Sequence, residues 1–454
     1  MNPPFDTVLV ANRGEIALRV VRSLRELGCR SVVVYSTADR DSAAVRQADT
    51  AVHIGPGPSK KSYLYAPAVV EAALQTGAQA VHPGYGFLSE DPDFAEICAE
   101  NGITFIGPAP EVMAELGDKA RARRLMTEAG LPVLPGTTDP VGTAAEVEEV
   151  ASRIGLPLII KAAAGGGGRG MAVVRSRDEL VPAYRATRAA AQAVFGDDRV
   201  YVERFLENAR HVEVQVLADG SGEVLCLGER DCSVQRNHQK LIEESPAVGL
   251  PPGTVDELCR QAAAGARAVG YTGAGTFEFI VAGDEVSFIE VNCRLQVEHP
   301  VTEQVTGVDI VREQIRVAAG LPLSAEALGF RAGGASIECR VNAEDPARGF
   351  APCPGRITSF VPPGGPFVRV DTAAFPGWRV PSEYDSLIAK VITWAPDREQ
   401  AIERMDRALA EFRIEGEGVR TTIPLLREVL ADPVFRAAGH TTSYLAERGL
   451  RVAA

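Results

Sequence analysis

Residues 276–300 read TFEFIVAGDEVSFIEVNCRLQVEHP, with polar and apolar positions alternating on both sides of Gly283-Asp284. That period of two predicts a pair of strands joined by a tight turn. Directly opposed residues of an antiparallel pair share a face, so the register decides which polar groups meet. An odd-length loop centred on Asp284 sets Glu278 opposite Glu290 and gathers Asn292 to the same edge, whereas a two-residue turn at Gly283-Asp284 would separate the two glutamates. We adopt the odd loop. Facing carboxylates repel each other, so the pair implies a divalent cation between them. The alternation continues through Arg294, Gln296 and Glu298, with Cys293, Leu295 and Val297 between, which extends the strand reading to Val297. Such a polar row also suits a solvated strand face. The residue types suit something else: carboxylates and an amide for a hard cation, then an arginine, a glutamine and a carboxylate for a small oxyanion that is gripped and deprotonated. This stretch alone leaves both readings open.

The chain has 454 residues, which predicts two to four domains. With 46% hydrophobic and 24% charged residues it is globular in composition, and no apolar run is long enough to cross a bilayer. The opening MNPPFDTVLV has no basic region leading into an apolar segment, so neither a secretory signal nor a transit peptide is expected. Eight scattered cysteines without a CxxC pair predict reduced thiols in a cytoplasmic protein. A net charge of −13 argues against a general nucleic-acid binder. Only six lysines occur, at 60, 61, 119, 161, 240 and 390, and arginine supplies every other cationic side chain. Because a compact ammonium and a planar guanidinium are not interchangeable, each lysine invites the question of its use.

Towards the N-terminus, residues 7–108 repeat an apolar strand (TVLVA, SVVVYS, AQAVHPG, ITFIGP) alternating with a helical pattern. This predicts a parallel sheet with helices on both faces, whose insertions at Asn12–Glu15 and His82–Glu90 lie at the carboxyl edge, where such sheets bind ligands. Gly28, Gly77 and Gly102 each follow a helix, where a left-handed cap is expected. A second unit begins near Asp118-Lys119. Its strand LPLIIK ends at Lys161 and opens into a glycine run, with Gly165, Gly167 and Gly170 matching GxGxxG. A dinucleotide fingerprint needs a helix after the glycines, and here the strand MAVVRS follows instead. The run therefore predicts a hairpin tip whose bare amides close over phosphates, with Lys161 at its base.

Residues 199–219 predict two strands joined at Glu203, Arg204, Phe205 and Leu206, a hinge whose backbone and carboxylate suit an adenine edge. His211, Glu213 and Gln215 alternate along the second of them. The next segment, GERDCSVQRNHQKLIEESPA, reads as a charge-rich loop that concentrates Gln235, His238 and Lys240 for an anion. From about residue 331, short strands and turns and then a helix predict an antiparallel sheet with covering helices. On its first strand Arg340 shares a face with Glu338 and Asn342.

Taken together, ANRGEIALR, HPGYGFLSE, GDK, GGGGRGM, YVERFLENARHVEVQVLADG, ERDCSVQR, the TFEF–IEVN hairpin, RLQVEHPVTE, ECRVNAEDP, PGRI and YDSLIAK resemble biotin carboxylase, an ATP-grasp enzyme, over nearly the whole chain. The resemblance implies an α/β chain of three parts. Residues 1–114 would be an N-terminal Rossmann-like parallel-sheet domain and residues 115–330 an ATP-grasp domain with a mobile glycine-rich lid at about 134–204. Residues 331–454 would be the C-terminal antiparallel domain. It implies that bicarbonate attacks the γ-phosphate of ATP to give carboxyphosphate, and that the carboxyl group then passes to the ureido nitrogen of biotin. Lys119, Lys161, Gly167, Gly168, His211, Gln235 and His238 would bind ATP, with Glu203, Arg204, Phe205 and Leu206 at the adenine. Glu278, Glu290 and Asn292 would hold Mg²⁺ or Mn²⁺. Lys240, Arg294, Gln296 and the backbone of Val297 would hold bicarbonate, Glu298 would be its base, and Arg340 would stabilise the enolate-like oxygen of biotin. The chain departs from the family's pattern at the alanines before the glycine run, at Asn237 and at Cys293.

No Met-Lys dipeptide, the usual biotin attachment signal, occurs. The resemblance therefore implies that biotin arrives on a separate biotin carboxyl carrier protein, that carboxyltransferase subunits complete the reaction, and that the chain is a homodimer. Its setting would be acetyl-CoA carboxylase and fatty acid biosynthesis, with a two-chain pyruvate carboxylase or another acyl-CoA carboxylase as the alternative. A carbamoyl-phosphate synthetase half leaves Arg340 unexplained. A nucleotide-binding regulatory subunit without turnover leaves Lys240, Arg294 and Glu298 unexplained.

Overall fold

The apolar runs of the first hundred residues pair as parallel strands β1 (Thr7–Val10), β2 (Arg30–Ser36), β3 (Thr50–Gly55), β4 (Ala80–His82) and β5 (Thr104–Phe105), in the order β3-β2-β1-β4-β5. The structure is a computed structural model that describes residues 3–163 and 170–449. Alternation along β1 feeds two cores. Val8 and Val10 pack with Ile16, Val20 and Leu24 of the helix Gly14–Glu26, while Leu9 packs on the other face with Val69, Phe94 and Cys98. Each such side chain, when fully buried, contributes about 1.5–3 kcal/mol. Strand β3 escaped the sequence reading because it is an edge strand, with only Ile54 fully inside. Gly28, Gly77 and Gly102 hold φ of 76°, 67° and 69°, the left-handed caps expected of them.

Strands β6 (Leu158–Ala162), β7 (Met171–Val174) and β8 (Val200–Arg204) form a small antiparallel sheet, ordered β7-β6-β8 and backed by the helices Ala144–Ile154 and Leu180–Phe195. Gly167 and Gly168, assigned to the phosphate lid, lie outside the described residues. The remaining strands are β9 (Arg210–Ala218), β10 (Val224–Arg236), β11 (Gln239–Ser245), β12 (Gly273–Ala282), β13 (Glu285–Asn292), β14 (Ala335–Asn342), β15 (Glu344–Asp345), β16 (Ala351–Pro352), β17 (Arg356–Val361), β18 (Val368–Thr372), β19 (Leu387–Ala395) and β20 (Arg413–Glu417). Eight of them make one sheet in the order β13-β12-β9-β10-β11-β14-β19-β18, while β15 pairs with β16 and β17 with β20. The antiparallel C-terminal strands are therefore not a sheet apart. They continue the central one through β11 and β14, where Ile242 faces Cys339. The helix Thr254–Ala268 covers one face of this sheet with Leu258, Ala262 and Ala266 on Val214 and Phe277. The helix Arg398–Glu411 covers its continuation with Ile402, Met405 and Leu409.

Four expectations need correction. The turn at Gly283-Asp284 has two residues, since Ala282 pairs with Glu285. Glu278 still faces Glu290, because the odd residue sits in the strand: Phe279 pairs with Phe288, Glu278 with Glu290, and Ile289 is bulged between. Strand β13 stops at Asn292, and the helix His299–Thr306 begins with Pro300 in its first turn, so Cys293–Glu298 is irregular rather than extended. The charge-rich segment at 228–247 is a hairpin of β10 and β11, turning at Asn237 and His238 with φ of 46° and 64°. It looked like a loop because its polar residues are not solvated: Arg230, Asp231, Ser233, Glu243 and Glu244 are buried and paired by neighbouring strands. Finally, Cys226 on β10 is disulfide-bonded to Cys259 on the helix Thr254–Ala268, with Cα atoms 5.7 Å apart. Their 33-residue separation carries no spacing signal; the other six cysteines are free. Among the described residues no helix is long and apolar enough to cross a membrane.

Candidate active site

Because β9 to β14 belong to one continuous sheet, the side chains that alternate onto the face opposite the helix Thr254–Ala268 collect in one place. His211 and Glu213 come from β9, Lys240 from β11, Glu278 from β12, Glu290 and Asn292 from β13, and Arg340 from β14. All but the fully buried Glu213 line a cleft of about 1070 Å³ that Tyr85, Lys119, Lys161, Arg294, Gln296, Val297 and Glu298 also reach.

At its centre stands Lys240. Its Nζ lies 2.6 Å from Glu213 Oε2, 2.6 Å from Glu298 Oε1 and 3.1 Å from Glu278 Oε1. Burial works to strip its proton, but the three carboxylates overcome that and hold the ammonium charged. Glu298 is gripped from the other side by Arg340, whose Nη2 is 2.9 Å from Oε2. Burial would raise the Glu298 pKa, yet Lys240, Arg340 and Arg230 pull it well below the usual carboxylate range, so the group is ionised. Arg340 is itself anchored, its Nε donating to Glu243 Oε1 at 2.5 Å. Glu243 is pushed the other way, up to about 7, by burial that Arg340 only partly offsets. Behind Glu213 lies Arg230, wholly buried, which donates to Glu213 at 2.5 Å and to Gln215 and Thr302 at 2.9 Å. A charge buried so deeply needs this full set of acceptors.

Arg294 crosses to the N-terminal sheet, donating from Nε to Glu90 Oε2 at 2.8 Å and from Nη1 to Gln296 Oε1 at 3.0 Å. The bicarbonate residues read from sequence, Lys240, Arg294, Gln296, Val297 and Glu298, therefore line one cleft, with Arg340 beside them.

The donor set for a cation is also assembled. Glu278 and Glu290 are cross-strand partners, and Asn292 lies two residues along, donating to Glu278 Oε1 at 2.8 Å. His211 Nε2 is 2.9 Å from Glu278 Oε2, and Lys119 Nζ is 3.6 Å from Glu290 Oε2. Two hard carboxylates and an amide oxygen fit Mg²⁺ or Mn²⁺. The Glu290 side chain is 38% exposed towards the cleft, against 9% for Glu278.

Of the nucleotide residues, Lys119, Lys161, Arg204, Phe205, Leu206, His211, Gln235 and His238 all line the cleft. The Glu203 side chain does not. Its carboxylate is taken by Lys161, at 2.5 Å, and by Arg123, and these cations hold it ionised against the effect of burial. Sequence reasoning missed Arg123, Arg230, Glu243 and the role of Glu90. For Glu90 a signal existed, the polar His82–Glu90 insertion; for Arg230 and Glu243 the pairing of strands reveals the partner, and for Arg123 the approach of the helix Lys119–Glu128 to β8 does.

Comparison with known proteins agrees along the whole chain. Residues 4–113 match the family described as biotin carboxylase, N-terminal domain, residues 118–326 match carbamoyl-phosphate synthase L chain, ATP binding domain, and residues 338–447 match biotin carboxylase C-terminal domain. The chain is similar to a biotin carboxylase of Haemophilus influenzae, 51% identical over 445 residues that cover 98% of this chain and 99% of the relative. It is similar in structure to a biotin carboxylase–β,γ-ATP complex from Campylobacter jejuni, with a TM-score of 0.94, 46% identity and coverage of 98% and 99%. The biotin carboxylase domain dimer of 2-oxoglutarate carboxylase from Hydrogenobacter thermophilus, solved with MgADP, ADP and bicarbonate, superposes with a TM-score of 0.93 at 47% identity, covering 98% of each chain.

Proposed function

This chain belongs to the biotin carboxylase family and is an ATP-dependent biotin carboxylase; from that premise we propose how its cleft divides the work. The observation that carries the reading is Glu298, ionised and held between Lys240 and Arg340 at the end of the segment that also bears Arg294 and Gln296. Lys240, Arg294, Gln296 and the Val297 backbone hold bicarbonate, and Glu298 takes its proton. The cations that keep Glu298 ionised also weaken it as a base. An anion bound against Lys240 and Arg340 draws off part of that positive charge, so the carboxylate gains basicity when the proton has to move.

Lys119, Lys161, His211, Gln235 and His238 bind ATP with the Glu203–Leu206 segment, where Arg204, Phe205 and Leu206 face the base and Glu203 orients Lys161. Phosphoryl transfer needs charge neutralisation and alignment more than covalent help. Mg²⁺ or Mn²⁺, held by Glu278, Glu290 and Asn292, supplies charge neutralisation at the phosphates. The same reading assigns ATP binding to Gly167 and Gly168 as well. Arg340 then steadies the biotin oxygen while its ureido nitrogen is carboxylated.

The same reading takes residues 1–114, 115–330 and 331–454 as the three domains, and a homodimer as the assembly, as in the Hydrogenobacter relative. Biotin is delivered on a separate carrier protein, and carboxyltransferase subunits pass the carboxyl group on, to acetyl-CoA in the first instance. A cytoplasmic setting is kept in this reading, with six cysteines free and one pair, Cys226–Cys259, disulfide-bonded.

The test is ATP cleavage with Mg²⁺ and bicarbonate, with and without free biotin. Stimulation by biotin together with carboxybiotin formation is the expected result. Cleavage that ignores bicarbonate and biotin alike would overturn the assignment.

A further inference from the structure

Lys390, one of the six lysines, lies in the middle of β19 and is 0% exposed. Packing alone would place an apolar side chain there, since a buried ammonium has to recover its lost hydration from fixed partners. Its Nζ donates to the carbonyl oxygen of Val297 at 2.8 Å and lies 3.0 Å from Glu15 Oε1. Glu15, in the first turn of the helix Gly14–Glu26, accepts the hydroxyl hydrogen of Tyr85, from the His82–Glu90 loop. Along the sheet, Lys390 is the direct cross-strand partner of Arg340. Burial disfavours the charge, but Glu15, Glu338 and Asp371 keep it in place.

One ammonium thus joins three stretches that are distant in sequence. The segment Cys293–Glu298 has no regular backbone pairing. Glu90 holds Cys293 and Arg294, Leu295 is buried, Lys240 and Arg340 hold the Glu298 side chain, and Lys390 holds the backbone at Val297. We propose that Lys390 is a positioning residue for carboxyl transfer, fixing Val297 and Glu298 relative to Arg340 and Tyr85. The proposal rests on the assignment of this segment to bicarbonate made above. Without Lys390 the backbone beside Glu298 loses its fastening at Val297, and the Glu298 carboxylate is left to Lys240 and Arg340. The carboxyl donor then drifts from the biotin held at Arg340, and more of the ATP is cleaved without product.

The test uses the full-length enzyme with Mg-ATP, bicarbonate and free biotin, and compares wild type with Lys390→Met, Lys390→Arg and Glu15→Gln. It measures KM for bicarbonate, KM for ATP and the ATP cleaved per carboxybiotin formed. For Lys390→Met we expect kcat/KM for bicarbonate to fall on the order of 10- to 100-fold, the scale of a small misplacement of a reacting group. The ATP-to-carboxybiotin ratio rises, and KM for ATP stays within about twofold, since the metal and lysine contacts to the nucleotide are untouched. Lys390→Arg restores part of the coupling by keeping a donor. Glu15→Gln moves the same two quantities in the same direction, and decides the question if Lys390→Met does not fold. Folded variants with unchanged bicarbonate KM and unchanged coupling overturn the proposal, as does an equal loss of ATP and bicarbonate affinity. Failure of the wild type to cleave ATP in response to bicarbonate would count against the assigned function instead.

Discussion

Glu90 and Arg294 stand 204 positions apart in sequence, yet the carboxylate of Glu90 holds both the side chain of Arg294, at 2.8 Å, and the backbone N–H of Cys293, at 3.0 Å. A residue of the N-terminal sheet's loop thereby sets the direction of an arginine on the segment proposed above for bicarbonate. We predict that Glu90→Ala raises KM for bicarbonate by about tenfold, the cost of losing an orienting partner. Glu90→Gln, which still accepts the backbone hydrogen bond, has a smaller effect. Steady-state ATP cleavage at varied bicarbonate checks this, and an unchanged KM in Glu90→Ala would remove Glu90 from the site.

Glu298→Gln keeps the shape of the side chain and removes its capacity to accept a proton. The expected loss in bicarbonate-dependent ATP cleavage is about 10²–10⁴-fold. Nucleotide affinity, measured by direct titration, should change little, because Lys161, His211 and Glu290 are untouched. A rate within a few fold of wild type would show that the proton leaves by another route.

How far the site could be read from sequence is clearest at the Glu278–Glu290 pair. The facing carboxylates were legible from alternation, but their cause was not. The register is restored by the bulge at Ile289 and not by an odd loop, and a bulge leaves no mark on residue type. Four of the five N-terminal strands were legible because each is a short apolar run; the edge strand β3 was not. The hairpin at Val224–Ser245 was not, because its charges are buried against charges on neighbouring strands, and sequence shows a charge without its partner. Lys240, Arg294 and Glu298 were found one by one from chemistry and family pattern. That one ammonium touches three carboxylates follows only from strand order, for Glu213 and Glu278, and from the path of the irregular segment, for Glu298.

Glu290 offers the cleaner test of the cation site, because Glu278 is also bound up with Lys240, His211 and Asn292. Glu290→Gln should raise the Mg²⁺ concentration for half-maximal ATP cleavage by at least about tenfold. Thermal stability without metal should be close to wild type, since the side chain is 38% exposed. Mg²⁺ titration of the rate, together with the thermal shift given by Mg-ADP, measures both. An unaltered Mg²⁺ dependence would move the cation to other ligands.

Asp371, the cross-strand partner of Lys390, should make acid stability report on the network behind the cleft. Arg369 donates to both its carboxylate oxygens, at 2.9 and 2.7 Å, and also holds Glu303 at 2.6 Å, tying β18 to the helix His299–Thr306. Burial alone would raise the Asp371 pKa, but Arg369 outweighs it and brings the pKa down to about 2, against an ordinary value of 3.8. A carboxylate whose pKa is depressed in the folded state stabilises that state above the unfolded pKa, and the contribution is lost as pH falls through the folded one. The contribution is on the order of 2 kcal/mol, present in full above about pH 5 and draining away between pH 4 and pH 2. Asp371→Asn should therefore lower the thermal midpoint at pH 7 and flatten its dependence on pH below 4. Glu303, also held below the carboxylate range by Arg19 and Arg369 despite burial, keeps part of the acid slope in that variant. Parallel pH profiles for the two proteins would mean that Arg369 does not distinguish the charged from the neutral form of Asp371, and that the pairing seen between them stabilises nothing.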